Sequence, residues 1–345
     1  MKQETFNRLP MPTYRYLHVN DTALPFAAPG VSSDAHFSDG TFVARESVSI
    51  PETFTGASSA MLEAAAAGKK YRIVIPENTE TSLTITIHDK ETPDFAGFFS
   101  FLLKQNARLS LILKWEGGPG AGTFDVAADY DLETGARLSA SVVQSGLSDK
   151  TLILQRHVTL REDAEADFTA ATLGGEAVIL NSRGFLTGRR AKLREAALYH
   201  AGGTRHLDFF YHIDHIGPET ESDIDVKGAL SGRAKKYFRA TIDFKRGCAG
   251  AVGSEGDYAI QLDPETKNIS LPLLLCTEDD VIGNHASSAG QLDASAIYYL
   301  MSRGLTKEEA RRIVIESLLR PLIDRMDETV REEVLGEIRD NLEQK

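Results

Sequence analysis

Cysteine is nearly absent: the chain has two, Cys248 and Cys276, in 345 residues. That excludes a disulfide-stapled scaffold and fits a reducing compartment. Positive charge is also short. Lys and Arg number 38 against 50 Asp and Glu, a formal net charge of −12, with no basic stripe. Nucleic acid is therefore not an expected partner. No apolar run approaches the roughly 20 residues of a membrane-spanning helix. The opening MKQETFNRLPMPTYRY contains no apolar signal core. The expectation is a cytoplasmic protein with no membrane partner. Enzyme motifs are missing too: there is no P-loop, zinc-finger spacing or nucleophile elbow. The glycine-rich GGPGAG at 117–122 lacks the Lys-Ser/Thr of a phosphate loop and reads as a turn.

What is present is a core and a pattern. Hydrophobic residues make up 42% of the chain, enough for one or two domains. Residues 1–69 form an N-terminal segment, partly irregular, with a short helix or loose connection at 57–67. From Lys70 the period becomes that of a half-buried strand: Ile73, Ile75, Leu83, Ile85 and Ile87 alternate with polar residues. Strand-like runs continue to Leu275, in a β core placed at 70–290. Within it a small residue recurs at Ala107, Ala136, Ala164, Ala191, Thr220 and Ala249. Each recurrence opens a strand-like run. A fixed period of this size predicts stacked units of two strands and two turns, a flattened parallel β-helix. A β-sandwich with regular turns is the alternative.

After Gln291 the period is helical, giving a C-terminal helical domain at 291–345. One helix is expected over Ala294–Ser302, ended by Gly304. Thr306 to Glu309 reads as a capping box. The next helix carries Ile313, Val314, Leu318 and Leu319 on one side, with Pro321 placed to kink or end it. A last helix shows Val330, Val334, Ile338 and Leu342 at spacing four.

Several side chains could carry chemistry. On one regular strand, His206, Asp208, His212 and Asp214 would share a face, a donor set for a transition metal or a polar ladder on a solvated sheet. Cys248 lies in the glycine-rich turn RGCAGAVG, where a thiolate would be reachable as a cluster ligand. Cys276 follows LPLLL and is expected to be buried. His285 stands where strands give way to helices.

Two stretches carry a family resemblance. HLDFFYHIDHIGPETESDIDVKGALSGRAKKYF, 206–238, contains Asp214-His215, Thr220-Glu-Ser222 and Gly228-Ala-Leu-Ser-Gly232-Arg-Ala234. EDDVIGNHASSAGQLDASAIYYLMSRGLTKEEA, 278–310, contains Asp279-Asp280-Val281, His285, Gly290, Tyr298-Tyr299-Leu300 and Ser302-Arg303-Gly304. Both resemble the SufB/SufD family of iron–sulfur cluster assembly proteins, and LPMPTYRY is similar to the opening of its short members. The resemblance implies a mainly β fold: a right-handed parallel β-helix followed by a helical domain. It implies a non-catalytic scaffold that carries a transient iron–sulfur cluster and holds no cofactor tightly. It also implies two partners, a SufC-like ABC ATPase on the C-terminal helices and a second family subunit or a second copy of this chain. The candidates it brings forward are His285, Cys248 and Glu255 as ligands, with His285 expected to matter more than His206 or His212. For the ATPase they are Tyr298, Tyr299, Met301, Arg303 and Arg311, with Arg312, Arg320 and Arg325 adding charge.

The departures are SufD-like. The SufB cysteine upstream of the signature falls near Gly256, beside Glu255, and is missing. The SufB glutamate after the signature histidine is Ala286 here. The cysteine that many SufD proteins carry two residues before that histidine is Gly283. Two other functions stay open: a β-helical carbohydrate-active enzyme using Asp208, His212 and Asp214, and a structural subunit that never binds iron.

Overall fold

A computed structural model describes residues 2–12, 16–30, 34–45, 48–88, 93–117, 120–145, 147 and 149–343. Thr13 to Arg15 of the LPMPTYRY opening, and Gly118 and Pro119 of GGPGAG, lie outside the described residues.

Two nine-stranded sheets face each other. One runs, in spatial order, β20 (Val281–Gly290), β18 (Ala251–Gln261), β16 (Glu221–Leu230), β14 (Lys192–Ala201), β12 (Glu165–Thr172), β10 (Arg137–Ser145), β8 (Arg108–Glu116), β6 (Glu80–His88) and β3 (Ala35–Phe37). The other runs β19 (Lys267–Cys276), β17 (Lys235–Phe244), β15 (His206–His215), β13 (Ala177–Leu186), β11 (Lys150–Leu160), β9 (Gly122–Leu132), β7 (Phe95–Leu103), β5 (Lys69–Ile75) and β4 (Val43–Ala44). From β5 onward the chain alternates between sheets, and each strand pairs in parallel with the strand two places on. This is a parallel β-solenoid of about 7 turns. An antiparallel hairpin, β1 (Lys2–Phe6) with β2 (Thr22–Phe26), precedes it. Four helices complete the chain: α1 (Ser59–Ala67), α2 (Ala294–Ser302), α3 (Lys307–Ile323) and α4 (Glu328–Glu343).

The sequence period is the coil length. Arg108 pairs with Arg137, then Glu165, Lys192, Glu221 and Val252, in steps of 29, 28, 27, 29 and 31. Ala107, Ala136, Ala164, Ala191 and Thr220 are fully buried just before these positions. The expected sixth position, Ala249, is corrected to Ala251. The turn entering β18 is two residues longer than the one entering β16, so Ala249 is exposed in it and Ala251 is buried.

Inward residues form one continuous core, with aromatic pairs such as Phe101 on Tyr130, 4.5 Å between centroids. The chain's own ends cover the outer faces. Phe6, Ala57 and Met61 pack on Ile153 and Ile179, and Leu9 and Val19 on Phe210 and Leu271, across the odd-numbered sheet. Helices α3 and α4 lie on the even-numbered sheet. Ile315, Leu319, Leu322, Val334 and Ile338 pack there against Val143, Ala171, Ala196, Leu198 and Ala229.

The helices start where the sequence places them. Ser58 caps α1, and Thr306 and Glu309 form the full capping box of α3. Gly304 follows α2 with φ 98°, a conformation that favours glycine. The buried stripe of α3 differs from the expected one. It is Ala310, Ile315, Leu319 and Leu322, and Ile313 is exposed. Pro321 does not end α3, which runs on to Ile323. Nor do the residues from Tyr298 to Met301 cover the end of the solenoid. Tyr298 is 75% exposed, and β20 is exposed along nearly its whole length.

Leu319 is fully buried between α3 and the sheet. Leu319→Ala is expected to cost about 3 kcal/mol of unfolding free energy, measured by urea denaturation. Ile313→Ala, on the exposed side, is expected to stay within about 0.5 kcal/mol of the parent.

Candidate functional site

The last coil has no successor, so β19 and β20 present unpaired edges. Side chains alternate across a strand, and parallel register keeps each column on one face. Glu255 of β18 stands between Ile224 and His285 in register. Ile224 belongs to the interior core, so Glu255 and His285 point inward as well. Glu255 is 3% exposed. His285, with no coil above it, is exposed at the mouth of the solenoid. Neither carboxylate oxygen of Glu255 completes a hydrogen bond. Burial pushes its pKa up to about 9, with the Leu273 amide pulling the other way. Glu255 is therefore a neutral acid at neutral pH, directly beside an exposed imidazole. The neighbouring interior of β19 adds Asn268 Oδ1 and Ser270 Oγ, also without partners.

The two thiols exchange their expected places. Cys248, expected to be reachable, is fully buried in the main core. Burial, with Glu278 nearby, raises its pKa above the usual thiol value. The six-residue turn that carries it folds inward, because its small apolar side chain packs better than it solvates. Cys276, expected to be buried, is exposed at the end of β19, its Sγ 2.8 Å from the Glu278 carbonyl oxygen. It pairs with Phe244, and Gly283 sits against Leu274 and Phe244. His285 is further along the coil, so neither thiol shares its position.

His206, Asp208, His212 and Asp214 do share the outer face of β15, but that face is not solvated. Asp208 is fully buried. It takes two hydrogen bonds from Arg239, at 2.8 and 2.7 Å, one from Asn7 at 2.8 Å and one from Thr22. Its lone pairs are used, which removes it from a metal set and from a carbohydrate-cleaving constellation. His206 stacks on Tyr237 at 5.3 Å, and burial lowers its pKa. His212 stands apart from both and faces Asp214 at 3.3 Å.

The signature residues His215, Thr220 and Ser222 form an interior lock. Thr220 donates to the Gly217 carbonyl, so it accepts from His215 Nδ1 at 2.7 Å, and Ser222 donates to Nε2 at 2.8 Å. That fixes a neutral imidazole, and burial holds its pKa down to about 4. Gly228 is required by close approach: a Cβ there would lie 2.3 Å from the Tyr199 carbonyl oxygen.

On the helices, Tyr298, Tyr299 and Met301 are exposed, and Arg303 lies over the Tyr299 ring at 5.2 Å. Arg311 sits between two adjoining grooves of about 320 and 520 Å³, which share Leu262. Three other arginines are engaged within the chain. Arg312 pairs with Glu343, Arg320 with Asp324 and Arg325 with Asp167.

Residues 89–318 match the family described as SUF system FeS cluster assembly, SufBD core domain. The chain belongs to the SufBD family. An iron–sulfur cluster assembly SufBD family protein of Mycobacterium leprae is 27% identical over 232 residues, 65% of this chain and 59% of that protein. A SufBD family protein of Mycobacterium tuberculosis H37Rv is 25% identical over 233 residues, again 65% and 59%. The iron–sulfur cluster assembly protein SufD of Bacillus subtilis is 33% identical over 124 residues, 36% of this chain and 28% of that protein. The chain thus spans less than two thirds of the length of these relatives. Within the SufBD core, the mouth of the last coil brings a buried carboxyl and an exposed histidine together in register. Among the described residues, no helix is long and apolar enough to cross a membrane.

Glu255 gives this SufBD chain a pH dependence. Its folded pKa of about 9 lies above the ordinary glutamate value of 4.5. Between those values the folded state keeps a proton that the unfolded chain releases, so stability falls as pH rises. Glu255→Gln removes the titration. Its Tm is expected to exceed the parent's by roughly 4 °C near pH 8 and to match it near pH 5, by differential scanning calorimetry.

Proposed function

We propose that this chain is a non-catalytic assembly subunit of a SUF-type iron–sulfur cluster biogenesis complex. It holds a transient cluster, its cargo, at the open end of the solenoid and leaves ATP hydrolysis to a SufC-like ABC ATPase. The observation that carries this reading is the register pair of Glu255 on β18 with His285 on the terminal strand β20, whose outer edge is open. Membership of the SufBD family supports it. Imidazole and carboxylate can both ligate iron, and the neutral Glu255 would lose its proton on doing so.

An open edge with unpaired N–H and C=O groups favours strand addition. A second family subunit, or a second copy of this chain, fits that requirement. In antiparallel pairing, opposite side chains share a face. About a two-fold axis normal to the sheet, inward residues of β20 must therefore face inward residues of the other copy. His285 lies near the middle of β20 (Val281–Gly290), so a central axis would bring two imidazoles together. The ligand set would then be completed by the dimer, which accounts for its poverty in one chain.

Anaerobic reconstitution with iron and sulfide, in the presence of the ATPase, tests the reading. His285→Ala is expected to lower cluster absorbance at least about tenfold, while His206→Ala, stacked on Tyr237 away from the mouth, keeps the parent's yield. Equal yields for His285→Ala and the parent, with the fold intact by circular dichroism, would refute the role.

The ATPase would dock on α2 and the start of α3. Exposed Tyr298 and Met301, with Arg303 lying over the Tyr299 ring, form an aromatic, cationic surface of the kind enriched at interface hot spots. Tyr298→Ala with Arg303→Ala is expected to weaken ATPase binding by at least about tenfold. Its Tm should stay unchanged, because both side chains are exposed. Undiminished co-purification would exclude this docking surface.

A further inference from the structure

The outer face of the odd-numbered sheet carries a second cluster, on the opposite side of the wall from the interior that Glu255 and His285 face. His212 and Asp214 stand two apart on β15, and Asp243 of β17 is the register partner of Asp214. One donor atom from each of the three lies within 4.8 Å of the others. All three are held in place. His212 is 8% exposed and Asp243 7%, and the Asp214 side chain is 15% exposed. Hydrogen bonds from His212 and Lys245 keep the Asp214 carboxyl below its usual pKa despite burial.

The spot between the two carboxylates already holds a cation. The Lys245 ammonium is 3.1 Å from Asp214 and 2.5 Å from Asp243. Lys245 is also the most exposed member, 44% on a four-carbon stem. Its ammonium can reach solvent, and the two carboxylates it leaves behind then need another cation. Two polar groups beside the cluster lack any partner: His212 Nδ1, and Thr241 Oγ1, which is fully buried next to His212 in register. A site that served only a lysine would leave no reason for both. Arg183, the register neighbour of His212 on β13, has its pKa lowered by burial, which Asp214 offsets only in part, and its charge tempers the attraction for a second cation.

We propose that His212, Asp214 and Asp243 form a binding site for a divalent first-row transition metal, with Lys245 as the resting counter-ion that the metal displaces. One imidazole and two carboxylates are a donor set for Fe²⁺, Zn²⁺ or Co²⁺. Water fills the remaining positions, and Thr241 Oγ1 is placed to hydrogen-bond to such a water. Sequence reading places His212 and Asp214 on one face with His206 and Asp208, and the register adds Asp243 to the first two.

The test is a Co²⁺ titration of the tag-free full chain in the His285→Ala background. That background removes the mouth site, so the outcome is independent of the function proposed above. The expected result is a visible d–d absorption band that saturates at one equivalent. The band should vanish in Asp214→Asn with Asp243→Asn, with circular dichroism unchanged. Lys245→Met should bind roughly tenfold tighter, because the competing cation is gone. Absence of the band in both the parent and Lys245→Met would overturn the proposal. So would an unchanged band in the Asp214→Asn, Asp243→Asn protein.

Discussion

Parallel register between successive coils is the constraint on which the molecule rests. Each strand pairs with the one a coil earlier, so an inward side chain always lies on another inward side chain. The core is therefore built as columns, and a coil can vary in length only at its turns. The extra residues before Ala251 are absorbed in this way: the turn lengthens and the column continues. The same rule makes the last coil special. Its inward residues have support below and nothing above, so Glu255 is enclosed while His285 is open.

Buried charge is distributed with equal economy. Arg156 with Glu195, Lys236 with Asp257, and Arg239 with Asp208 are all enclosed ion pairs. Removing one member of such a pair leaves an uncompensated charge, a loss of about 3–5 kcal/mol. The third pair has a further consequence. Because Asn7, Thr22 and the Val19 carbonyl complete its hydrogen bonds, the N-terminal hairpin is tied to β15 and β17. Chemistry that looks available in the sequence at Asp208 is thus used for architecture.

The two ends of the chain divide the outer faces between them. N-terminal residues seal the odd-numbered sheet, and α3 with α4 seals the even-numbered one. Neither covers the terminal edges, and α2 projects nearby with Tyr298 and Tyr299 exposed. Among the described residues, the open features include the free edges of β19 and β20 and the aromatic surface at Tyr298 and Tyr299.

Periodicity made much of this legible. Local rules set the strand alternation, the coil repeat, the capping box at Thr306 and the limits of α2, because each depends on neighbours within one turn or one strand. Burial across coils was not local. The turn around Cys248 gave no sign of folding inward, and Cys276 lost its cover only because no later coil exists. The face of α3 was misassigned at Ile313, since the sheet it packs on lies well over a hundred residues earlier in part. Asp214 stands among the sequence candidates and Asp243, one coil period later, does not, because their pairing needs the register. The sequence alone determined the repeat and the residue types on each strand. Tertiary structure alone decided which of those residues are enclosed, because enclosure depends on which distant segment lies above them.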